Sequence, residues 1–305
     1  MRIKLFSHTD MDGISPYILL RYYYPTATIS YSFCNYGDIN EKVQEFLTST
    51  DACFYDYIYI TDISVNEEIA EKLQKIADTT DVTIRLFDHH KTALELNKFD
   101  FCEVTVEKDG ELTCGTKLFY QYLITEQHLE ERDYISRYVK CVNDYDTWLW
   151  ANKYHYDLPD NWNTLFQFYG RINFIENVLK KFEKKTTSFT DTDRLILEVE
   201  ARKKQAYIKN KMNDVFEKII NGEKCVIVFA ELYTNDVATA LKEKCPNSDI
   251  QIVIGQRGIS YRSRSEKDID LGEFVKKYGG GGHAKAAGSQ ITRDMRDKMI
   301  EIIFD

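Results

Sequence analysis

The chain has no apolar stretch approaching the roughly 20 residues that a membrane-spanning helix requires. Its opening MRIKLFSHTD carries too short an apolar run, and no cleavage pattern, for a signal peptide. It has no C-x-x-C pair. Its 7 cysteines are scattered and odd in number, which argues against a disulfide framework and for a reducing compartment, so the cytoplasm is the expected address. Basic charge is in deficit: 40 Lys and Arg against 49 Asp and Glu give a net charge of −9. That removes the positive field with which proteins grip long duplex nucleic acid, although a local patch and metal ions can still hold a short nucleotide. Internal repeats and low-complexity tracts are absent. What remains is ordinary globular composition, 43% hydrophobic and 29% charged over 305 residues, long enough for a proper core and for two domains.

Strand and helix patterns alternate early. Ile3–Phe6, Tyr57–Ile60 and Val82–Phe87 are β-branched or aromatic runs that read as strands. Between the last two, Ser64 and Glu67 stand at capping-box spacing ahead of an apolar stripe, Ile69, Leu73, Ile76 and Ala77. Strand, helix, strand on this spacing predicts a parallel sheet. A helical region follows from about Thr116 to Trp150, then an aromatic-rich stretch over 155–190 without a clear period. Thr190-Asp191-Thr192-Asp193 offers N-caps for a long charged helix to about Asn221, read as a connector. After Gly222 the pattern restarts: strands at Cys225–Phe229, Ile250–Ile254 and Ile259–Arg262, helices at Asn235–Lys244 and Leu271–Tyr278. The expected organisation is α/β: a parallel-sheet domain over 1–188, a helical linker over 189–221 and a smaller α/β domain over 222–305.

In open parallel sheets ligands bind beyond the carboxyl ends of the strands, and that rule gathers residues distant in sequence. SHTDMDG places His8, Asp10 and Asp12 after the first strand; Asp62 follows the second; Asp88, His89 and His90 close the third. Mixed imidazole and carboxylate donors suit Mn²⁺, Fe²⁺ or Zn²⁺. SHTDMDG reads equally well as a turn with capping carboxylates. Asp62 is free to bridge two metals if Ser64 caps the next helix. Adjacent histidines after an apolar strand cannot point the same way, so one can bind metal while the other faces substrate. The segment Leu112–Thr116 reads first as an N-cap, and no flanking base makes Cys114 a nucleophile.

The second half ends in GGGGHAKAAG. Gly280, Gly281 and Gly282 allow close backbone approach, successive N–H groups can form an anion nest, and His283 can donate to phosphate or sugar. Arg262 and Arg264 lie just upstream, in a segment over 257–285 with 7 Lys/Arg against 4 Asp/Glu; Arg forks suit phosphate. For Arg264 a solvated strand edge is an equal alternative. Ala201–Gln205 (ARKKQ) resembles the basic motif of inorganic pyrophosphatases, but its place inside a predicted helix makes it a solvated face.

In their order, SHTDMDG, TDIS, DHH, NDYDTW and GGGGHAKAAG resemble the DHH phosphoesterase superfamily with a DHHA1-type C-terminal domain, over nearly the whole chain. The nearest group is the nanoRNases, which hydrolyse short oligoribonucleotides. The resemblance implies a catalytic DHH domain with two divalent metal ions, usually Mn²⁺. His8 and Asp10 would hold one, Asp12 and His89 the other, with Asp62 between them. One further carboxylate comes from the fourth motif, Asp144 being favoured over Asp146. Asp88 would orient a histidine, and His90 would contact the scissile phosphate and help protonate the leaving oxygen. Arg262, Arg264, Gly280, Gly281, Gly282 and His283 would bind substrate. The expected activity is hydrolysis of short single-stranded RNA or dinucleotides to 5′-mononucleotides, by a monomer or homodimer without membrane or long-duplex partners. Alternatives are a phosphatase for phosphoadenosine phosphate, a phosphodiesterase for linear or cyclic dinucleotides, or a nucleotide-binding module that has lost catalysis.

Overall fold

Strand, helix and strand alternate through the first half of the chain. The computed structural model describes residues 1–48, 52–264 and 268–304, apart from the side chains of Ala52 and His283. It divides into one unit over Met1–Leu197 and another over Glu198–Asp305.

In the first unit β1 (Arg2–Ser7) leads through α1 (Met11–Tyr23) to β2 (Thr28–Phe33) and α2 (Ile39–Thr48), then β3 (Tyr57–Thr61), α3 (Glu67–Thr79), β4 (Thr83–Asp88) and β5 (Cys102–Val104). These five strands form one wholly parallel sheet in the order β2-β1-β3-β4-β5. Alternation along each strand decides the layering. Ile3, Leu5, Tyr59 and Phe87 enter one apolar cluster; Phe6, Ile58, Ile60, Ile84 and Leu86 enter another on the opposite face. A parallel strand buried on both faces needs helices on both. α2 and α3 cover the second cluster through Val43, Ile69 and Leu73. The first is covered by α1 and, after a short hairpin of β6 (Glu107–Lys108) and β7 (Glu111–Leu112), by α4 (Gly115–Thr125), α5 (Asp133–Asp146) and α6 (Leu158–Glu183). The aromatic stretch that showed no period is mostly α6, which breaks at Gly170 (φ 67°); its Trp162, Phe174 and Phe182 are core.

Two expectations change here. Asn66, not Ser64, caps α3, its side chain accepting from Ile69 N–H. Ser64 instead donates to Asp88. The charged helix α7 (Asp191–Lys211) ends ten residues short of Asn221, because Phe216–Ile220 forms a strand, β8, antiparallel to β9 (Glu223–Phe229).

The second unit continues with α8 (Thr234–Lys244), β10 (Ile250–Ile254), β11 (Gly258–Ser263), α9 (Leu271–Lys276), β12 (Gly281–His283), β13 (Ala286–Gln290) and α10 (Arg293–Phe304). Its six strands make a mixed sheet, β12-β13-β11-β10-β9-β8, with apolar clusters on both faces. All seven cysteines are free thiols, and no described helix is long and apolar enough to cross a membrane.

Candidate metal and phosphoester site

Chain order and strand order part company at β1: β2 lies on one side of it and β3 on the other. Such a switch point leaves a crevice at the carboxyl ends of the strands. Ser7 closes its floor. The Ser7 hydroxyl lies 2.9 Å from the Thr61 carbonyl and 2.7 Å from the Thr61 hydroxyl, tying the ends of β1 and β3 together.

Each side chain reaches the crevice for a local reason. Asp10 is the N-cap of α1, its Oδ1 accepting from Gly13 N–H, while its Oδ2 lies 2.8 Å from His8 Nδ1. The capping reading of SHTDMDG is realised in Asp10, and its second oxygen stays on the His8 side of the crevice. Asp12, in the first turn of α1, is fully buried. It accepts from Gly115 and Thr116 N–H, at 2.8 Å each, and so caps α4 from another part of the chain. Cys114, the residue in the cap position, makes no side-chain cap, and burial pushes its thiol far up. Asp62 is buried with its backbone in the left-handed region (φ 57°), a strained geometry that clusters at functional sites. Gly115 permits it: a Cβ there would lie 2.8 Å from the Asp62 N and Cα.

Asp62 turns one oxygen to each half of the crevice, Oδ2 toward His8 Nδ1 at 3.7 Å and Oδ1 toward His89 Nε2 at 3.3 Å. His89 Nε2 is also 3.2 Å from Asp146 Oδ2 and 4.0 Å from Asp12 Oδ2. Two donor groups flank Asp62, His8 with Asp10 and Asp62, and Asp12 with His89 and Asp146, each within 4.8 Å; a third such group, Asp62 with Asp88, His89 and His90, overlaps them. Asp62 Oδ2, His89 Nε2 and Asp146 Oδ2 are buried without a hydrogen-bond partner. Burial, with the negative charge of Asp12, Asp10 and Asp146, pushes Asp62 far above the usual carboxylate range; burial, with Asp12, Asp10 and Asp88, does the same to Asp146. Burial also holds the His89 imidazole below its ordinary value, against the pull of Asp12. A buried set of acceptors with too little positive charge is costly, and cations relieve it. Oxygen and imidazole donors fit Mn²⁺ and similar divalent ions.

The preference for Asp144 over Asp146 is reversed by this placement. Asp144 is buried elsewhere, held by Lys140 Nζ and the Tyr156 hydroxyl. Two residues further along α5 corresponds to about 200° of rotation, and that turn delivers Asp146 to His89.

Asp88 is the member of the third group whose oxygens are taken by protein donors. It accepts from Ser64, from His89 N–H and, at 2.7 Å, from His90 Nδ1. Burial opposes its ionisation, but the bonds from His90 and Ser64 prevail and keep it low; the same bond raises His90. The other His90 nitrogen, Nε2, meets the Tyr36 hydroxyl at 2.9 Å. Tyr36, 59% exposed, also packs on the His8 ring. The signal that leads to it is the alternation of TISYSF, which makes β2 a strand and places Tyr36 just beyond its carboxyl end.

In the second unit Gly279 to Gly281, Gly255, Gly258, Gly288, Thr234, Ser260 and Ser289 line a groove of about 600 Å³. Packing within the fold explains several of its glycines. Gly279 (φ 69°) and Gly280 end α9 by donating to Lys276 and Val275 carbonyls, a Schellman-type cap. A Cβ on Gly280 would lie 2.3 Å from the Gly288 carbonyl oxygen, and one on Gly282 2.6 Å from Ala287 Cα, whereas Gly281 is open. Arg262 shares a strand face with Ser260 and donates to Asn235 Oδ1. Arg264 does not face the groove: its guanidinium donates to the Lys242, Cys245 and Ser248 carbonyls and closes the end of α8. The His283 side chain lies outside the described residues.

Residues 227–305 match the family model of the DHHA1 domain. Over 98% of its length the chain is 31% identical to oligoribonuclease NrnB of Bacillus subtilis (strain 168), covering 75% of that protein. A crystal structure of exonuclease RecJ bound to manganese matches at TM-score 0.59 and 13% identity, over 98% of this chain and 88% of that one. The pGpG-specific phosphodiesterase PggH of Vibrio cholerae matches at 0.56 and 14%, over 99% and 97%. Identities this low speak for a common fold. The end-to-end match to NrnB speaks for kinship, and with it the chain belongs to the DHH/DHHA1 phosphoesterases, metal-binding hydrolases of phosphoester bonds, on their nanoRNase-like branch.

Proposed function

We propose that this protein hydrolyses short single-stranded RNA, dinucleotides included, to 5′-mononucleotides. His8, Asp10 and Asp62 would hold one Mn²⁺, and Asp12, His89 and Asp146 a second. The observation that carries the reading is the single carboxylate, Asp62, with one oxygen toward each donor group and one of those oxygens left unpartnered. When bound, such ions supply Lewis acidity, a nucleophile from water at neutral pH and compensation for phosphate charge.

The chain's own residues then orient and transfer protons. Asp88 fixes the His90 ring through Nδ1, so that Nε2 is the atom that can donate to a leaving oxygen. Its raised proton affinity keeps the donor form populated nearer neutrality. In the second unit the Thr234, Ser260 and Ser289 hydroxyls and the open backbone at Gly281 offer polar contacts for a nucleotide end. Net charge of −9 suits substrates too short to need a basic track, and the named activity of the NrnB relative agrees with that substrate class.

The test is a product time course with Mn²⁺ and 5′-labelled RNAs of two, five and about twenty-four nucleotides, with phosphoadenosine phosphate alongside. Fast conversion of the shortest RNAs to mononucleotides is expected. Turnover of phosphoadenosine phosphate alone would replace this reading with the phosphatase.

A further inference from the structure

The end of α5 and the residues that follow it carry an aromatic ladder. Tyr145, Trp150 and Trp148 stack in sequence, ring centroids 6.2 and 6.1 Å apart and planes within 12° and 26°. The ladder is anchored at its inner end, where the Tyr145 hydroxyl accepts from Asn163 at 2.7 Å. In its middle the Trp150 Nε1–H is buried and unpartnered, so stacking sets that indole's plane. At its outer end Trp148 is 45% exposed and held in the left-handed region (φ 58°). A bulky residue there is a genuine outlier, and such strain persists where surrounding structure imposes it.

Position makes the ladder relevant. Trp148 is two residues beyond Asp146, whose carboxylate meets His89, so its Cα lies within about 7 Å of the Asp146 Cα. We propose that Trp148 is a base-stacking residue: its open face receives the base of the nucleoside adjoining the phosphate bound at the Asp62 crevice. An aromatic platform holds any base, because every base presents a π face. The inference rests on the proposed nuclease function and adds to it a substrate-binding residue.

The experiment compares an adenylyl dinucleotide with analogues in which one nucleoside is abasic, using wild type, Trp148→Gly and Trp148→Phe. Glycine removes the ring and also suits the left-handed backbone, so a melting temperature at or above wild type is expected and unfolding is set aside. The kcat/KM ratio, intact over abasic, should fall roughly 5- to 150-fold in Trp148→Gly and stay near wild type in Trp148→Phe. An unchanged ratio in Trp148→Gly would overturn the proposal. A wild type that cleaves neither substrate would instead remove the nuclease reading. Stacking is then decided by indole emission: quenching by the dinucleotide in wild type that is lost in Trp148→Phe supports it, and equal quenching in both sinks it.

Discussion

Gly115→Ala sets local propensity against tertiary contact. Gly115 is the first residue of α4, and alanine is the better helix former by up to about 1 kcal/mol. Helix propensity alone therefore predicts a more stable protein. The structure predicts the reverse. A Cβ at this position would lie 2.8 Å from the N, Cα and Cβ of Asp62, backbone that cannot swing aside as a long side chain could. Inserting a methyl into such a contact costs about 1–3 kcal/mol, so with the full propensity gain set against it the net loss is up to about 2 kcal/mol, a fall of up to roughly 8 °C in melting temperature for a unit this size. Function should suffer more than stability. The push falls on the residue that faces both donor groups, and displacement of a reacting group by about 1 Å can cost about 100-fold in rate. The assay is paired: melting of metal-free protein, then Mn²⁺ titration and dinucleotide turnover. Gly37→Ala, where an added Cβ meets no atom within 4 Å, is the control and should be silent. A Gly115→Ala protein with wild-type turnover and Mn²⁺ affinity would refute the claim that close approach to Asp62 is why this residue is glycine.

Other outcomes follow from the same geometry. Asp146→Asn should abolish tight Mn²⁺ binding and turnover, whereas Asp144→Asn should keep Mn²⁺ binding and lower the melting temperature; isothermal titration of both variants checks this, and the opposite pattern would restore Asp144. Asp62→Ala should lose metal and activity while keeping a wild-type circular dichroism spectrum. Asp88→Asn should reduce kcat more than Tyr36→Phe, because Asp88 holds His90 from a buried position and Tyr36 from an exposed one; equal losses in steady-state assays would contradict it. Metal-stripped protein should lose stability as pH rises. Asp62 and Asp146 have folded pKa values raised above an unfolded value of about 3.9, so their stabilising contribution is complete below that value and disappears as pH climbs through the folded ones. Asp10 and Asp88 are depressed and act the other way, losing their contribution only as pH falls further. Melting curves between pH 4 and 8 should therefore decline upward without metal, and saturating Mn²⁺ should flatten them.

Much of this was legible from sequence because a parallel sheet puts its chemistry at one edge. Once β1, β3 and β4 were read from their apolar runs, the positions of His8, Asp62 and His89 followed. What could not be read depended on neighbours distant along the chain. Ser64 has the right spacing to cap α3, but Asp88, from the adjacent strand, offers its hydroxyl an acceptor, and Asn66 takes the cap. Asp144 and Asp146 are chemically identical; the direction of one helix and the presence of Lys140 and Tyr156 separate them. Phe216–Ile220 followed a helical pattern in sequence and became a strand because β9 offered it an edge. Arg264 has the chemistry of a phosphate fork, yet its donors go to the carbonyls at the end of α8. In the glycine-rich segment, composition alone could not separate Gly280 and Gly282, which close packing requires, from Gly281, where a side chain would meet nothing.

The two hydrogen bonds that Asp12 accepts from the first amides of α4 bear on how fast the site can load. A carboxylate on a mobile loop must be frozen when an ion arrives. This one is immobilised when the helix forms, because both its oxygens are held by the first amides of α4. Ion capture then requires little further ordering of the chain around α1 and α4. Hydrogen exchange at Gly115 and Thr116 should accordingly be slow before any ion is added and remain so afterwards, the kinetic signature of a receptor assembled by folding rather than by its guest.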